Sequence, residues 1–449
     1  MKLTKITLEN FRRFENLEIP LADCPQAIFI GNNGAGKSTI LNATAKGLSW
    51  VVGRIVRGEK GGGSALDDSE ILNGKVEAVV SLDVTCQRQD YHLSLTKARK
   101  GRKKTRESHL TEATRLAEIF RTALTENEHR ASLPLVAFYP VERVVLDIPI
   151  RTKIRHSFEQ VDGYDNALQQ GVDFRRFFEW FREREDSENE SSTCLPDKIF
   201  DLLTKMKGGD QNQLWQELDQ LRSSPKDRQL MAVRSALSIF MPGFSNLRIQ
   251  RRPRLRMMFD KDGEPLDVGQ LSQGEKSLMA LVGDIARRLA MMNPALTNPL
   301  EGEGIVMIDE VDLHLHPKWQ RTILGNLART FPSVQFLLTT HSPIVVSQER
   351  KACGFVLSDR EMRPIGPTYG LDVNQVLLQE MDTDIRTPEV QQKIDLLLDA
   401  IQKRQTDQAN NLLRELEEQL PTDHIEVAKA RLLLRRLEVR RLEQKRGAM

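Results

Sequence analysis

The feature that most constrains this chain is the stretch GNNGAGKST at residues 31–39, between a short apolar run and a helical pattern. It matches G-x-x-x-x-G-K-[ST], a loop between a buried strand and a helix whose backbone N–H groups wrap phosphates. In such a loop Lys37 supplies charge to the β- and γ-phosphate oxygens, and the Ser38 hydroxyl ligates Mg²⁺. The alternative, a plain glycine-rich turn, is disfavoured by the strand–loop–helix context. The pattern predicts an α/β fold with an ATP–Mg²⁺ site, and its nucleotide-binding residues are Asn32, Asn33, Gly34, Ala35, Gly36, Lys37, Ser38 and Thr39.

Two carboxylates follow a second apolar run, GIVMI, at Asp309 and Glu310. Buried carboxylates need partners, so simple packing does not explain the pair. In a phosphate site the first acid holds the Mg²⁺ shell and the second polarises the attacking water. We therefore predict Asp309 as the metal-side acid and Glu310 as the general base. The alternative is a strand that ends in a solvated acidic turn.

Histidines occur at two places near these acids. His341 follows the buried run VQFLLTT, at the strand end where ligands of α/β sheets bind, and is predicted to act on the γ-phosphate. A lone histidine at a strand end is usually unremarkable, so this prediction depends on its neighbours. His314 and His316 have the H-x-H spacing of metal ligands, but no third ligand is evident and a structural turn is favoured.

The stretch LSQGEKS at residues 271–277 opens another apolar-periodic helix, more than two hundred residues after the glycine-rich loop. Its serine and glycine, Ser272 and Gly274, stand where free backbone N–H groups can meet an anion. The chain thus contains two candidate anion-binding helix starts.

Composition favours a globular, helix-rich protein. Charged residues make up 29% of the 449 residues, the net charge is +2, and no apolar run approaches the length of a membrane-spanning helix. The four cysteines are scattered without a CxxC pair, which argues against a disulfide framework or zinc site and favours a reducing compartment. The N-terminus has no signal-peptide pattern, so we expect a cytoplasmic protein.

The order of patterns predicts a split α/β core with an insertion and an appendage. We expect residues 53–75 to form a mobile loop. The predicted domains are residues 1–95 as the N-terminal lobe, 96–264 as a basic loop and mainly helical lid, 265–385 as the C-terminal lobe, and 386–449 as a helical region for oligomerisation or partner docking.

Three further features each allow a structural and a functional interpretation. Residues 97–106, KARKGRKKTR, form either a solvated loop or a contact to DNA phosphates. The aromatic residues of DFRRFFEWF, at residues 173–181, favour a packed helix face over a base-stacking platform. Leucine-rich helices after residue 385 predict a hairpin or three-helix unit with a surface for a partner or a sister subunit.

Together these motifs resemble the ATP-binding-cassette ATPase superfamily, in its RecF/SMC-like branch. The matching pieces are ENFRRF, GNNGAGKST, LSQGEKS, IDEVDLHLHP and TTHSP, in the expected order. The resemblance implies head-to-tail dimers in which Ser272 and Gly274 contact the ATP of the neighbouring subunit. It also implies that Asp312 lies in the loop that crosses the interface, and that Arg12 or Arg13 approaches the nucleotide. No glutamine stands at the start of the lid, where this superfamily usually links nucleotide to insertion.

The insertion and the tail resemble a narrower family within this superfamily. FYPVERVVLDIPIR, YDNAL, DFRRFFEWFREREDSEN and the leucine-rich tail are similar to the PtuA family, the ATPases of Septu antiphage systems, which also occur beside some retrons. This resemblance implies a homo-oligomeric ATPase that controls an HNH endonuclease partner of the PtuB type. No nuclease motif is evident in the chain itself. The alternatives are a RecF-type DNA-repair clamp and, with less support, the ATPase subunit of a transporter.

Overall fold

A computed structural model describes residues 1–127, 131–142, 158–168, 174–193, 227–347, 352–358, 361–366, 372–380, 387–421 and 424–446. The chain forms two compact units, Met1–Asp372 and Val373–Met449. Most of the predicted lid start, FYPVERVVLDIPIR, and the polar break KGGDQNQ lie outside the described residues. No described helix has the length and apolarity that crossing a membrane requires.

Strands build three sheets in the first unit. The strands are β1 (Lys2–Phe11), β2 (Phe14–Pro20), β3 (Gln26–Gly31), β4 (Glu77–Cys86), β5 (Gln89–Ala98), β6 (Leu135–Tyr139), β7 (Phe244–Gln250), β8 (Arg256–Lys261), β9 (Glu264–Asp267), β10 (Gly304–Ile308), β11 (Val334–Thr339), β12 (Cys353–Ser358) and β13 (Glu361–Pro364).

A six-stranded sheet with the order β13-β12-β3-β11-β10-β6 carries the predicted nucleotide site. All strands except the edge strand β13 pair in parallel. Strands β3, β6, β10 and β11 are buried along their whole length, as their apolar runs predict for a sheet covered on both faces. Because the strands are parallel, the loops after β3, β10 and β11 meet at one edge.

The domain boundaries differ from the prediction in two places. Strand β6, which the prediction gave to the lid of residues 96–264, pairs with β10 inside the core sheet. A short apolar strand can join a distant sheet without any sequence signal of its partner. The C-terminal unit begins at Val373 rather than residue 386, because one more helix joins it.

The other two sheets are antiparallel. One has the order β2-β1-β4-β5, with β1 and β4 paired centrally, and the other has the order β7-β8-β9. Buried residues alternate at Ile6 and Leu8 in β1 and at Leu17 and Ile19 in β2, as the period of two in a strand requires. A register irregularity between Leu3 and Lys5 interrupts the alternation in β1.

The helices follow the predicted order with a few differences in length. They are α1 (Lys37–Arg57), α2 (Thr111–Glu126), α3 (Phe174–Thr193), α4 (Arg228–Phe240), α5 (Gln273–Met292), α6 (Pro317–Gln320), α7 (Ile323–Thr330), α8 (Pro343–Val346), α9 (Val373–Glu380), α10 (Pro388–Gln402), α11 (Thr406–Gln419) and α12 (Ile425–Arg446).

Helix lengths expose two errors of the sequence patterns. The sequence patterns predict a helix from about Ser38 to Leu48 and a single helix over 317–330. Helix α1 instead runs nine residues beyond Leu48, and the second segment is broken into α6 and α7. The segment 58–75 after α1 is packed rather than mobile. Its Glu70 is 2% exposed and accepts hydrogen bonds from Arg12 and Lys46.

The aromatic helix α3 is a packed face, as the sequence favoured. Its five large aromatic side chains are at most 2% exposed, and Phe177 contacts both Phe174 and Phe181. The buried residues of this cluster are Phe174, Phe177, Phe178, Trp180 and Phe181.

The expectation that the cysteines stay unpaired is wrong for one pair. Cys24 and Cys353 form a disulfide across 329 residues, with their Cα atoms 5.6 Å apart. Cys24 lies two residues before the start of β3 and Cys353 opens β12, and the parallel register places Cys353 beside Ala27. The sheet topology therefore brings together two cysteines that are remote in sequence.

Candidate functional site

The glycine-rich loop leaves the end of β3 and enters α1. Gly31, Gly34 and Gly36 have φ angles of 147°, 77° and 107°, and Gly36 caps α1 in the left-handed region. A Cβ on Gly36 would lie 2.5 Å from the ring of Phe14. Any other residue there would need a strained backbone and a displacement of the Phe14 ring. The exposed residues Asn32, Asn33 and Gly34 form the tip of the loop.

Lys37 folds back into this loop. Its Nζ donates to the carbonyl oxygens of Gly31 at 2.8 Å and Asn32 at 3.2 Å, and the residue is 6% exposed. Burial lowers the pKa of Lys37, while the charges of Asp309, Glu310 and Asp312 act in the opposite direction. The lysine thus sits within electrostatic reach of three carboxylates that follow β10.

One hydroxyl positions both predicted acids. Thr339, the last residue of β11, donates to Asp309 Oδ1 at 2.5 Å and accepts from the Glu310 amide at 2.7 Å. Asp309 is 3% exposed, and its amide donates to the Tyr139 carbonyl. Glu310 has a φ of 48°, a left-handed conformation that favours glycine in other settings. Strand-end contacts therefore hold the Asp309 carboxylate and the backbone of Glu310.

His341 belongs to the same cluster. Burial lowers the pKa of its imidazole, the charge of Lys37 lowers it further, and Glu310, Asp312 and Asp309 oppose the shift. Asp312 accepts a hydrogen bond from the Thr340 hydroxyl, next to this histidine. The structure therefore brings the predicted residues of the loops after β3, β10 and β11 together at one sheet edge.

The residues fit an ATP–Mg²⁺ complex. A Cβ at Gly34 would meet nothing within 4 Å, so the loop tip leaves open space on that side. Three carboxylates face one lysine, which leaves an excess of negative charge suited to a divalent cation. Mg²⁺ usually takes only one or two protein ligands beside phosphate and water oxygens, and Ser38 and Asp309 are the residues here that could hold it. Among the described residues no group of three or more His, Cys, Asp or Glu could hold a metal by itself.

The second helix start has its own geometry. Ser272 caps α5 in a reciprocal box with Glu275, whose carboxylate also binds Lys261 at 2.8 Å. Gly274 packs against the loop after β10, because a Cβ there would lie 2.3 Å from the His314 carbonyl oxygen. In the described parts of the chain no hydrogen bond or ion pair joins residues 271–277 to residues 31–39.

Arg12 and Arg13 have different surroundings. Arg12 donates to Glu70 at 2.9 Å, and its backbone also binds this residue. Arg13 lies at the glycine-rich loop, where its Cδ would be 3.0 Å from a Cβ on Gly36, and its Nε has no hydrogen-bond partner among the described residues. Of the two arginines that the resemblance implies, Arg13 is therefore better placed than Arg12 to approach a nucleotide.

The histidines of the H-x-H pattern shape the turn after β10. His316 caps α6 by accepting from the Lys318 amide, and His314 has a left-handed φ of 62°. Their contacts agree with the structural interpretation of this pattern.

A buried charge network around Asp284 is absent from the sequence predictions. Asp284 on α5 accepts hydrogen bonds from Arg287 and Arg288 on its own helix, both at 2.7 Å, and from the Tyr139 hydroxyl at 2.9 Å. All four side chains are essentially inaccessible to solvent. The helical spacing i, i+3, i+4 is the one signal that could have linked Asp284 to the arginines. Tyr139 ends β6, and its carbonyl binds the Asp309 amide, so the network connects α5 to the acid pair.

The basic block is a surface loop with fixed ends. Lys97 pairs with Asp68 at 3.0 Å, Arg106 pairs with Glu9 at 2.6 Å, and Thr105 donates to Glu77. Between these anchors the exposed cations have no ion pair with a described residue, and they are Lys100, Arg102, Lys103 and Lys104.

Comparison with known proteins finds similar ATPases. An AAA family described as "AAA domain, putative AbiEii toxin, Type IV TA system" matches residues 27–347. The "Retron Ec83 probable ATPase" of Escherichia coli is 36% identical over 77% of this chain and 69% of that protein. The "Retron Vc95 probable ATPase" of Vibrio cholerae serotype O1 biovar El Tor is 35% identical over 77% and 71%.

Other similarities are shorter or more remote. "Septu protein PtuA" of Bacillus mycoides (strain KBAB4) is 43% identical over 16% of this chain and 10% of that protein. Among solved structures, the SMC head domain from Thermotoga maritima aligns with 82% of this chain and 100% of that chain, at 16% identity and a TM-score of 0.42. The α/β P-loop ATPase head expected from the motifs is confirmed, and the chain belongs to the AAA-domain ATPase family that includes these retron ATPases.

Proposed function

We propose that this chain is the ATP-hydrolysing regulatory subunit of an antiphage defence complex and controls a partner HNH endonuclease. The observation that carries the ATPase part is the cluster of Lys37, three carboxylates and His341 at one sheet edge. The defence role is supported by the similarity to two retron ATPases and, over a short stretch, to Septu PtuA. We propose a cytoplasmic location on the same grounds.

In the proposed reaction Lys37 and the loop amides hold the phosphates, and Ser38 and Asp309 hold Mg²⁺, which neutralises charge on the transferring phosphoryl group. Glu310 accepts a proton from the attacking water. Its position suits this role, because Thr339 fixes its backbone just after the end of β10. His341 stabilises charge that develops on the γ-phosphate. Of Arg12 and Arg13, we propose Arg13 as the arginine beside the nucleotide.

We further propose that ATP joins two heads. Ser272 lies at an exposed helix start, and in the described part of the chain residues 271–277 form no hydrogen bond to residues 31–39. We therefore assign the phosphate that this helix start binds to the ATP of a second subunit. The working unit would be a homo-oligomer of head-to-tail dimers.

Co-purification tests the defence role. An HNH endonuclease of the PtuB type, co-expressed with the tagged chain, should form a stoichiometric complex. Cells with both proteins should survive phage infection better than cells with the chain alone. The Lys37→Ala chain is the matched control, because it should keep the complex but lose protection. A chain that protects without any nuclease partner would contradict the proposal.

The basic loop favours a second candidate, a RecF/SMC-like clamp that acts directly on DNA. Four unpaired cations between fixed ends could neutralise about four phosphates, with a salt dependence that follows the number of contacts. Replacing Lys100, Arg102, Lys103 and Lys104 by serine should then abolish ATP-dependent retention on DNA. An unchanged affinity and salt slope would exclude this loop as the DNA contact.

A further inference from the structure

The last helix of the C-terminal unit carries apolar side chains on two opposite faces. One face packs into the unit, where Val427, Ala430 and Leu434 are at most 3% exposed. Among the described residues, nine large hydrophobic side chains are exposed, and four of them lie on α12. These are Ile425, Leu432, Leu433 and Val439.

Three of the four form one stripe. Ile425, Leu432 and Val439 are spaced by seven residues, so they fall within about 40° of one another around the helix. Their exposed fractions are 68%, 68% and 49%. The stripe is about 21 Å long at 1.5 Å per residue. A surface helix that already packs on its other face normally shows polar residues here, so this stripe is suited to a second helix.

Positive charge flanks the stripe on both sides. Arg435 and Arg436 form no ion pair with a described residue, whereas Arg431 on the neighbouring turn binds Glu417. Lys429 adds a third cation beside the stripe, partly offset by Glu426 at 3.3 Å. The surface therefore presents a narrow apolar line with unpaired arginines along it.

We propose that this α12 stripe binds an amphipathic helix of the partner endonuclease, with apolar residues at seven-residue spacing and Asp or Glu beside them. The inference rests on the proposed function, since it assigns the docking surface of that partner. Charge complementarity selects this occupant over a second copy, because pairing two copies would bring Lys429, Arg435 and Arg436 against one another. The helix contains no Trp, Tyr or Phe, and so lacks the aromatic residues that are enriched at membrane–water interfaces.

The full-length chain and an HNH endonuclease of the PtuB type provide the test, with their Kd measured by titration. Leu432→Asp should weaken binding by at least about tenfold, because a carboxylate would enter the centre of the apolar contact and meet acidic residues. Met231→Asp on α4 is the matched control, since Met231 is 48% exposed and should change the Kd less than about twofold. Both variants should keep the wild-type circular dichroism and ATPase rate.

Charge variants and two further assays separate the outcomes. Arg435→Glu with Arg436→Glu should also weaken binding, whereas lysine at both positions should retain it. A wild-type chain that binds no HNH endonuclease overturns the proposed function and the docking surface together. A complex whose Kd is unchanged by Leu432→Asp overturns the docking surface alone. Loss of self-association, or of flotation with phosphatidylserine vesicles, in Leu432→Asp with unchanged nuclease binding would assign the stripe to another occupant.

Discussion

At the residue scale, the candidate site depends on a single threonine hydroxyl between two acids. Thr339 donates to Asp309 and accepts from the Glu310 amide, while Glu310 adopts a left-handed φ. A non-glycine residue in that region costs on the order of 1 kcal/mol, which the strand-end contacts must offset. Backbone strain of this kind is found at functional sites, where it fixes the direction of a side chain.

Glu310→Gln tests the general-base role. Glutamine keeps the size of the side chain but cannot accept the proton from water, so we expect turnover to fall at least about 100-fold with ATP affinity retained. Because hydrolysis no longer releases the heads, an ATP-bound dimer should accumulate and be visible by light scattering. Turnover near the wild-type rate would remove Glu310 from this role.

The lowered pKa of His341 predicts a pH-dependent stability in the nucleotide-free protein. The unfolded chain binds a proton below the ordinary pKa of 6.5, whereas the folded site resists it. The free energy of unfolding should therefore decrease as the pH falls below 6.5, and level off below the folded pKa. His341→Asn lacks this loss, so its Tm should rise relative to the wild-type Tm between about pH 6.5 and about pH 5. A difference that stays constant over this range would contradict the lowered pKa.

At the element scale, β6 and α5 connect the acid pair to the second helix start. Tyr139 binds Asp309 through its carbonyl and Asp284 through its hydroxyl, and Asp284 holds two arginines of α5. Burial penalises these charges, yet the pKa of Asp284 is lowered, because the two guanidinium groups stabilise its carboxylate. Buried ion networks of this type give little net stability but fix geometry when all members are paired.

Tyr139→Phe tests that connection. The variant loses one hydrogen bond to a buried carboxylate, which should lower the free energy of unfolding by about 2 kcal/mol. If α5 is held in place through this bond, kcat should fall about tenfold while the Kd of ATP changes little.

Tyr164→Phe is the matched control for Tyr139→Phe. The Tyr164 hydroxyl is also buried, but it donates to the neutral Pro134 carbonyl at 2.7 Å. The control should lose about 1 kcal/mol and keep its kcat. An equal loss of kcat in both variants would indicate a general structural effect.

The sequence was informative wherever a function depends on a local pattern. Segments of ten residues or fewer were enough to predict three features. These are the glycine-rich loop, the apolar runs before Asp309 and His341, and the serine cap of α5. Contacts made by the sheet topology could not be predicted in this way. They include the place of β6 in the core, the Cys24–Cys353 disulfide and the bond from Tyr139 to Asp284.

At the scale of the whole molecule, the two helix starts raise the question of whether one chain can complete a catalytic site. Lys37 and Glu310 belong to one cluster, whereas Ser272 lies on an exposed cap with its own hydrogen bonds. In a head-to-tail dimer each site would combine Lys37 and Glu310 of one subunit with Ser272 of the other. A variant at Lys37 or Glu310 and a variant at Ser272 should therefore complement each other in a mixed dimer.

Mixing a Lys37→Ala chain with a Ser272→Arg chain tests this arrangement. Each variant alone should be inactive, because both of its sites are damaged. In an equal mixture half of the dimers are mixed, and each has one intact site, so about a quarter of the wild-type turnover should return. Mixing Lys37→Ala with Glu310→Gln is the matched control: both changes fall on the same side, so every site stays damaged and no activity should return. Recovery in the control, or none in the first mixture at concentrations where dimers form, would contradict a shared site.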